Sequence, residues 1–285
     1  MPAAPDGYHH PASEKELVEL VKTAYREGRR LRVRGAAHSV SDAIYTEPVG
    51  PNRVSRQKPP AGDDFNVMLD RYRGWRVKDE ARKLVEVEAG MHLGADPSDP
   101  TGPATLESSL LYVLAQKGWS LSNTGGITHQ TITGFTGTGS SGGSLQHSSN
   151  ANLYAFRLID GRGEVHEFSR EEADPDLFYS LSPSVGLLGV ISTITFECTD
   201  LFVIEGSEVV TTLDDCPADL LGPGGDGRPT LAEFLRDTEF TRLEWWPQRG
   251  AERIVTWQAK RLPPPPGSSP SRTSGSPAAP RRPSR

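Results

Sequence analysis

The sequence predicts an α+β fold, and three observations carry that reading. A capped, amphipathic helix opens the chain and runs directly into a short strand. Alternating apolar segments recur through the second half with turn residues between them, the pattern of a more antiparallel sheet. Between the halves, residues 120–149 are rich in Gly, Ser and Thr and almost free of charge. The length of 285 residues suggests about two domains at roughly 150 residues each.

Ser13 and Glu16 read as a capping box, whose hydroxyl and carboxylate satisfy the first free helix amides. Leu17, Leu20, Val21, Ala24 and Tyr25 then share one helical face, and Gly28 ends the helix. A strand over 31–34 follows and breaks at Gly35-Ala36-Ala37-His38-Ser39. Residues 48–64 are polar and Pro-rich, hence a loop or an insertion. Val85, Val87 and Ala89 alternate with Glu86 and Glu88, a half-buried strand stopped by Gly90. Residues 106–117 read as an apolar helix capped by Thr105 and closed by Gly118. Segments 154–159 and 164–168 flank Asp160-Gly161-Arg162-Gly163 as a hairpin. Asp174-Pro175 starts a short helix, and 190–196 alternates as a strand. Further strands are expected at 203–211, 242–246 and 253–257, with a capped helix at 230–236.

The net charge of −6 includes a tail, 262–285, that has eight Pro, four Arg and no acid. Subtracting its +4 leaves −10 on the preceding residues. An acidic chain without a basic block is a poor nucleic-acid ligand, and no such partner is expected. The tail cannot bury enough apolar surface to fold, so it is expected to be disordered. No run of about 18 apolar residues predicts a transmembrane segment. Nor does the N-terminus carry a basic region and an apolar core of the secretory kind. A cytoplasmic protein is the expectation, with membrane association left open. Cys198 and Cys216 are too few for a disulfide framework, and no metal-ligand spacing such as H-E-x-x-H occurs.

A dinucleotide-binding (Rossmann) fingerprint and a nucleophile elbow compete within the Gly-rich stretch. Residues 137–142 satisfy G-x-G-x-x-G, but that motif needs a buried strand before it and a helix after it. Residues 139–143 satisfy G-x-S-x-G around Ser141, a serine-hydrolase elbow that needs the same context and a distant downstream histidine. The last histidine is His166, too close to Ser141 for that arrangement. When ordered, such a stretch brings backbone amides and hydroxyls close to an anion. Paired with the Gly-bearing loop at 34–39, it suits a pyrophosphate cradle.

Taken together, the two loops resemble the FAD-binding half of the vanillyl-alcohol oxidase/p-cresol methylhydroxylase flavoproteins. Within these the sequence is most similar to the sugar-lactone oxidases (the D-arabinono-1,4-lactone and L-gulonolactone types) and the alditol oxidases. Their R-G-x-G-H-S loop stands here as Arg34, Gly35, Ala36, Ala37, His38 and Ser39, with Ala37 at the second glycine, which narrows the cradle. Their flavin-contacting loop resembles Thr124, Gly125, Gly126 and Ile127, together with Thr131 and Gly134. The A-T-G-T-H-G run resembles Gly137-Thr138-Gly139-Ser140-Ser141-Gly142, with Ser141 where the histidine usually stands. Gly189, Val190 and Ile191 fall on the segment along the adenine side. Strand 85–90, hairpin 158–165 and Glu244-Trp245-Trp246-Pro247 also match.

The resemblance implies the two-subdomain FAD-binding fold of this type over 1–200, and an incomplete start of a cap domain over 201–261. It implies FAD bound by Arg34 to Ser39, by Thr124, Gly125, Gly126, Ile127, Thr131, Gly134, Thr138, Gly139, Ser140 and Gly142, and by Gly189, Val190 and Ile191. It also implies covalent attachment through His38. The activity implied is oxidation of a CH–OH group of a sugar lactone or polyol. Hydride would pass to the flavin and molecular oxygen would be the acceptor, giving hydrogen peroxide. The alternative is a flavin-binding module without turnover, because the substrate-contacting part of the family lies beyond this length. The strands at 242–246 and 253–257 would then stand as unpartnered edges.

Overall fold

The computed structural model describes residues 3–46, 64–102, 104–225 and 227–266. Helix α1, Glu14–Glu27, starts where the Ser13 hydroxyl accepts from the Glu16 amide. The Glu16 carboxylate reaches one residue further back than a capping box requires, to the Ala12 amide at 2.9 Å. Gly28 closes the helix with φ 64°, a conformation that a side chain would disfavour. Its buried face, Leu17, Leu20, Val21 and Ala24, packs on Phe65 and Val67. These belong to β2, Phe65–Met68, which pairs in parallel with β1, Leu31–Arg34. A short helix, α2, Ser41–Ile44, follows the loop after β1.

The second unit is a five-stranded antiparallel sheet. Its strands are β3 (Trp75–Asp79), β4 (Leu84–Glu88), β6 (Leu153–Ile159), β7 (Val165–Ser169) and β8 (Val190–Glu197), in the order β3-β4-β8-β6-β7. Val85, Val87, Phe156, Leu158, Ile194 and Phe196 point to one face and form the main core with Leu110, Leu114, Ile132 and Phe135. Helix α3, Leu110–Gln116, begins four residues later than the apolar pattern suggests, because 105–108 form a hydrogen-bonded turn ahead of Ser109. Helix α4, Ile132–Gly137, lies inside the Gly/Ser/Thr stretch and is capped by Thr131. A two-residue pair, β5 (Trp119–Ser120) and β9 (Thr199–Asp200), and helix α5, Pro175–Ser180, complete this unit.

The last unit is an antiparallel sheet in the order β10-β12-β11, from β10 (Val203–Thr211), β11 (Phe240–Trp246) and β12 (Arg253–Leu262), with α6 (Leu231–Asp237) between β10 and β11 in the chain. This corrects the expectation of unpartnered strands: β11 and β12 pair with each other, and β12 pairs with β10 from Val203↔Leu262 to Thr211↔Ile254. Leu262, counted at the start of the tail, is thus the last residue of a paired strand; residues 267–285 lie outside the described residues. The sheet is fastened to the Gly-rich stretch. Thr241 N donates to the Gly143 carbonyl at 2.7 Å, and His147 Nε2 meets Glu239 Oε1 at 2.8 Å. Among the described residues, no helix is long and apolar enough to cross a membrane.

Candidate functional site

The loop after β1 and the start of α4 meet at a contact that only glycine permits. A Cβ on Gly35 would lie 2.4 Å from Thr131 Oγ1, and that hydroxyl already accepts from the Gly134 amide at 3.2 Å. Beside this contact opens a cavity of about 350 Å³, within the roughly 300–1,000 Å³ typical of small-molecule sites. β1 and the loop 35–39 supply one wall, and residues 130–140 supply another. Ser184, Val185 and Gly186 with Gly189, Val190 and Ile191 supply a third, while Ala43, Ile44, Leu69, Ala89 and Gly90 complete the lining.

Of the residues expected to bind cofactor, Arg34, Gly35, Ala36, Ala37, His38, Ser39, Thr131, Gly134, Thr138, Ser140, Gly189, Val190 and Ile191 line this cavity. Thr124, Gly125, Gly126, Ile127, Gly139 and Gly142 are not on its wall. Gly142 instead packs where a Cβ would meet Asn123 Oδ1 at 2.2 Å. Arg32, Gln130, Thr133 and Val185 line the cavity as well and were not singled out from the sequence. The alternation of Arg30, Arg32 and Arg34 reads from the sequence as a solvated strand edge, whereas Arg32 and Arg34 line the cavity.

Three features define what this cavity can hold. Its described lining contains no carboxylate, although the chain is acidic overall. Arg34 is only 4% exposed, and it has no carboxylate partner among the described residues. It donates to the Tyr8 hydroxyl at 3.3 Å, while its Nε has no partner. A buried cation left in this state is stabilised by an anion. Third, a hydroxyl and amide network sits on the α4 side: Gln130 Nε2 donates to Ser140 Oγ at 3.0 Å, which lies 3.0 Å from Thr138 Oγ1. Backbone strain is also present, with Ala37 at φ 58° and Val185 at φ 51°. What Ala37 changes relative to a glycine is therefore conformational ease as well as width.

His38 is exposed on the cavity wall, its ring 5.7 Å from that of His129. His129 is tethered through its carbonyl, which accepts from His92 Nδ1 at 2.6 Å. Burial lowers the His92 pKa and keeps that imidazole neutral. Ser141 does not form an elbow. It follows a helix rather than a strand, and its hydroxyl bonds the adjacent Gly142 carbonyl. Residues 137–142 likewise lack the strand–turn–helix setting of a Rossmann site.

No family model matches the chain. It is 29% identical to D-arabinono-1,4-lactone oxidase of Saccharomyces cerevisiae over 260 residues, which are 91% of this chain and 42% of that protein. It is 26% identical to L-gulonolactone oxidase of Mus musculus over 253 residues, 88% of this chain and 48% of that one. Against L-gulono-1,4-lactone dehydrogenase of Mycobacterium tuberculosis it is 30% identical over 204 residues, 70% and 39% of the two chains. The chain thus spans less than half the length of these relatives. Cholesterol oxidase from B. sterolicum superposes with a TM-score of 0.63 at 16% identity, over 90% of this chain and 45% of that one. Alkyldihydroxyacetonephosphate synthase gives 0.61 at 17%, over 92% and 49%. The chain is a homologue of the sugar-lactone oxidases, built on the two-subdomain FAD-binding fold of the vanillyl-alcohol oxidase/p-cresol methylhydroxylase type.

Proposed function

We propose that this chain binds FAD in the cavity between the 34–39 loop, α4 and the 184–191 loop, and that it serves an FAD-dependent oxidoreductase acting on a CH–OH group of a sugar lactone or polyol. The observation that carries the reading is the Gly35–Thr131 contact, which brings the two motif-bearing loops together at one cavity. The fit to the cofactor is chemical: an anion-seeking wall beside small residues that admit a flat ring. When bound, FAD supplies the hydride-accepting chemistry that no side chain offers.

The chain's own part is to bind and orient. Arg34 supplies fixed positive charge behind the loop, and the Ser140, Thr138 and Thr131 hydroxyls offer hydrogen bonds along α4. Ile191 and Val190 give apolar contact, and His38 is the residue we assign to covalent attachment of the flavin. Oxygen as acceptor is supported by the oxidase relatives, although one relative is named a dehydrogenase. The test is to incubate the purified chain with FAD, remove the excess and record the flavin spectrum. Peroxide release with gulono-, galactono- and arabinono-lactones and xylitol is then assayed in air. A colourless protein after gel filtration would refute the reading. A yellow protein without turnover would establish the flavin-binding module instead.

A further inference from the structure

We propose that Arg32, which lies outside the R-G-A-A-H-S motif, is the mobile cation that grips the diphosphate of the ligand in this cavity. The name of that ligand rests on the FAD reading above, whereas its diphosphate chemistry is argued from the residues themselves.

The three alternating arginines, Arg30 just before β1 and Arg32 and Arg34 within it, are in three different states. Arg30 is committed to Asp64, through both its amide and its side chain at 2.8 Å. Arg34 is buried under the loop, its guanidinium 5.5 Å from the Tyr8 ring, and cannot travel. Arg32 lines the cavity and is half-buried, and its one described side-chain bond is a long one, 3.4 Å to the Val185 carbonyl. That bond joins two walls of the cavity, so the side chain bridges the space a ligand would enter. A neutral carbonyl at that distance does little to compensate a guanidinium, and among the described residues no carboxylate pairs with Arg32. A planar fork of donors beside a fixed second cation, with no carboxylate on the wall, is matched by a doubly charged diphosphate. On ligand entry the guanidinium would exchange the Val185 carbonyl for phosphate oxygens.

A purely structural role, strapping the 184–191 loop to β1, is the competing account, and the experiment separates the two. Binding of FAD, riboflavin and inorganic diphosphate is measured by calorimetry in a His38→Ala background, which retains no flavin through that residue. Arg32→Gln, Arg32→Lys and the distant control Arg162→Gln are compared. Arg32→Gln should weaken FAD and inorganic diphosphate by about tenfold or more and leave riboflavin unchanged. Arg32→Lys should recover part of the loss. Equal weakening of riboflavin, or no change for FAD and diphosphate, would overturn the proposal. Diphosphate binding that depends on Arg32 in a chain that takes neither FAD nor riboflavin would refute the flavin reading and leave the anion site standing. FAD binding that ignores Arg32→Gln would do the reverse.

Discussion

Ala37 and Val185 line the same cavity from separate loops, and both hold left-handed backbones, with φ of 58° and 51°. An L-residue in this region costs roughly 1–2 kcal/mol, and such strain concentrates at binding sites. The two residues share the boundary of the proposed flavin site, so the strain sits where ligand contacts would compensate it.

Ala37→Gly should therefore stabilise the chain. Relief of about 1–2 kcal/mol is partly offset by about 0.4–1 kcal/mol of extra entropy in the unfolded chain. A net gain near 0.5–1 kcal/mol is expected, read as a higher urea midpoint at unchanged slope. A lower midpoint would mean that packing of the Ala37 methyl against Tyr8, Ile44, Tyr45 and Met68 outweighs the strain.

Acid sensitivity should report the junction between α1 and the sheet. Burial opposes ionisation of Glu14, but Arg157 and the Ser192 hydroxyl bond its carboxylate and hold its pKa below the ordinary value. A carboxyl depressed on folding stabilises the native state above its unfolded pKa, and that stabilisation is lost as pH falls through the folded value. Glu14→Gln should cost about 1–2 kcal/mol at neutral pH, allowing for the partial exposure of the pair. The difference should shrink as pH falls through the depressed folded value, where the wild-type carboxyl itself takes up a proton. Denaturation of both proteins from neutral pH into the acid range checks the convergence.

These features were unevenly legible in the sequence. Helix α1 and strands β4, β6 and β8 announce themselves through caps and alternation. Strand β2 does not: Phe65-Asn66-Val67-Met68 is buried on both faces and only four residues long, so it carries no period. Helix α4 has two glycines in six residues and poor propensity; it forms because Ile132 and Phe135 are drawn into the main core and Thr131 caps it. The site is similar. The motif loops can be recognised, but Val185 and Gln130 become wall residues only through contacts such as Val185 N to the Gly137 carbonyl at 2.9 Å, which no local pattern encodes.

Gly143→Ala should loosen the last sheet from the Gly-rich stretch. A Cβ there would lie 1.7 Å from the Thr241 carbonyl oxygen, so β11 must move. A loss above about 2 kcal/mol is expected, against near neutrality for Gly161→Ala, whose Cβ meets nothing within 4 Å. Paired thermal melts decide the point, and an unchanged midpoint for Gly143→Ala would show that the sheet shifts freely.

Strand β10 is an unbroken edge, exposed along nearly its whole length and free of Lys and Pro. Glu205 and Glu208 do not guard it well, since they pair with Lys260 and Arg242. Such edges invite association with other chains. Val210→Lys, at a residue 59% exposed, should reduce concentration-dependent light scattering without changing the melting temperature. Scattering that persists would place the association elsewhere.

The last prediction concerns His38. Its ring is exposed on the cavity wall and neighbours His129, whose backbone is held by the half-buried, neutral His92. His38 is thus presented from a tethered pair rather than from a free loop, the arrangement that lowers the orientational cost of bond formation to a bound ligand. After incubation with FAD, acid-precipitated wild-type protein should keep its fluorescence, and His38→Ala should release the flavin to the supernatant. His92→Leu removes the tether without touching the cavity lining, so it should slow the appearance of acid-stable flavin while leaving reversible binding near the wild-type level. Fluorescence lost from the wild type on precipitation would restrict this chain to reversible binding. Equal rates in wild type and His92→Leu would show that His38 needs no support from the pair.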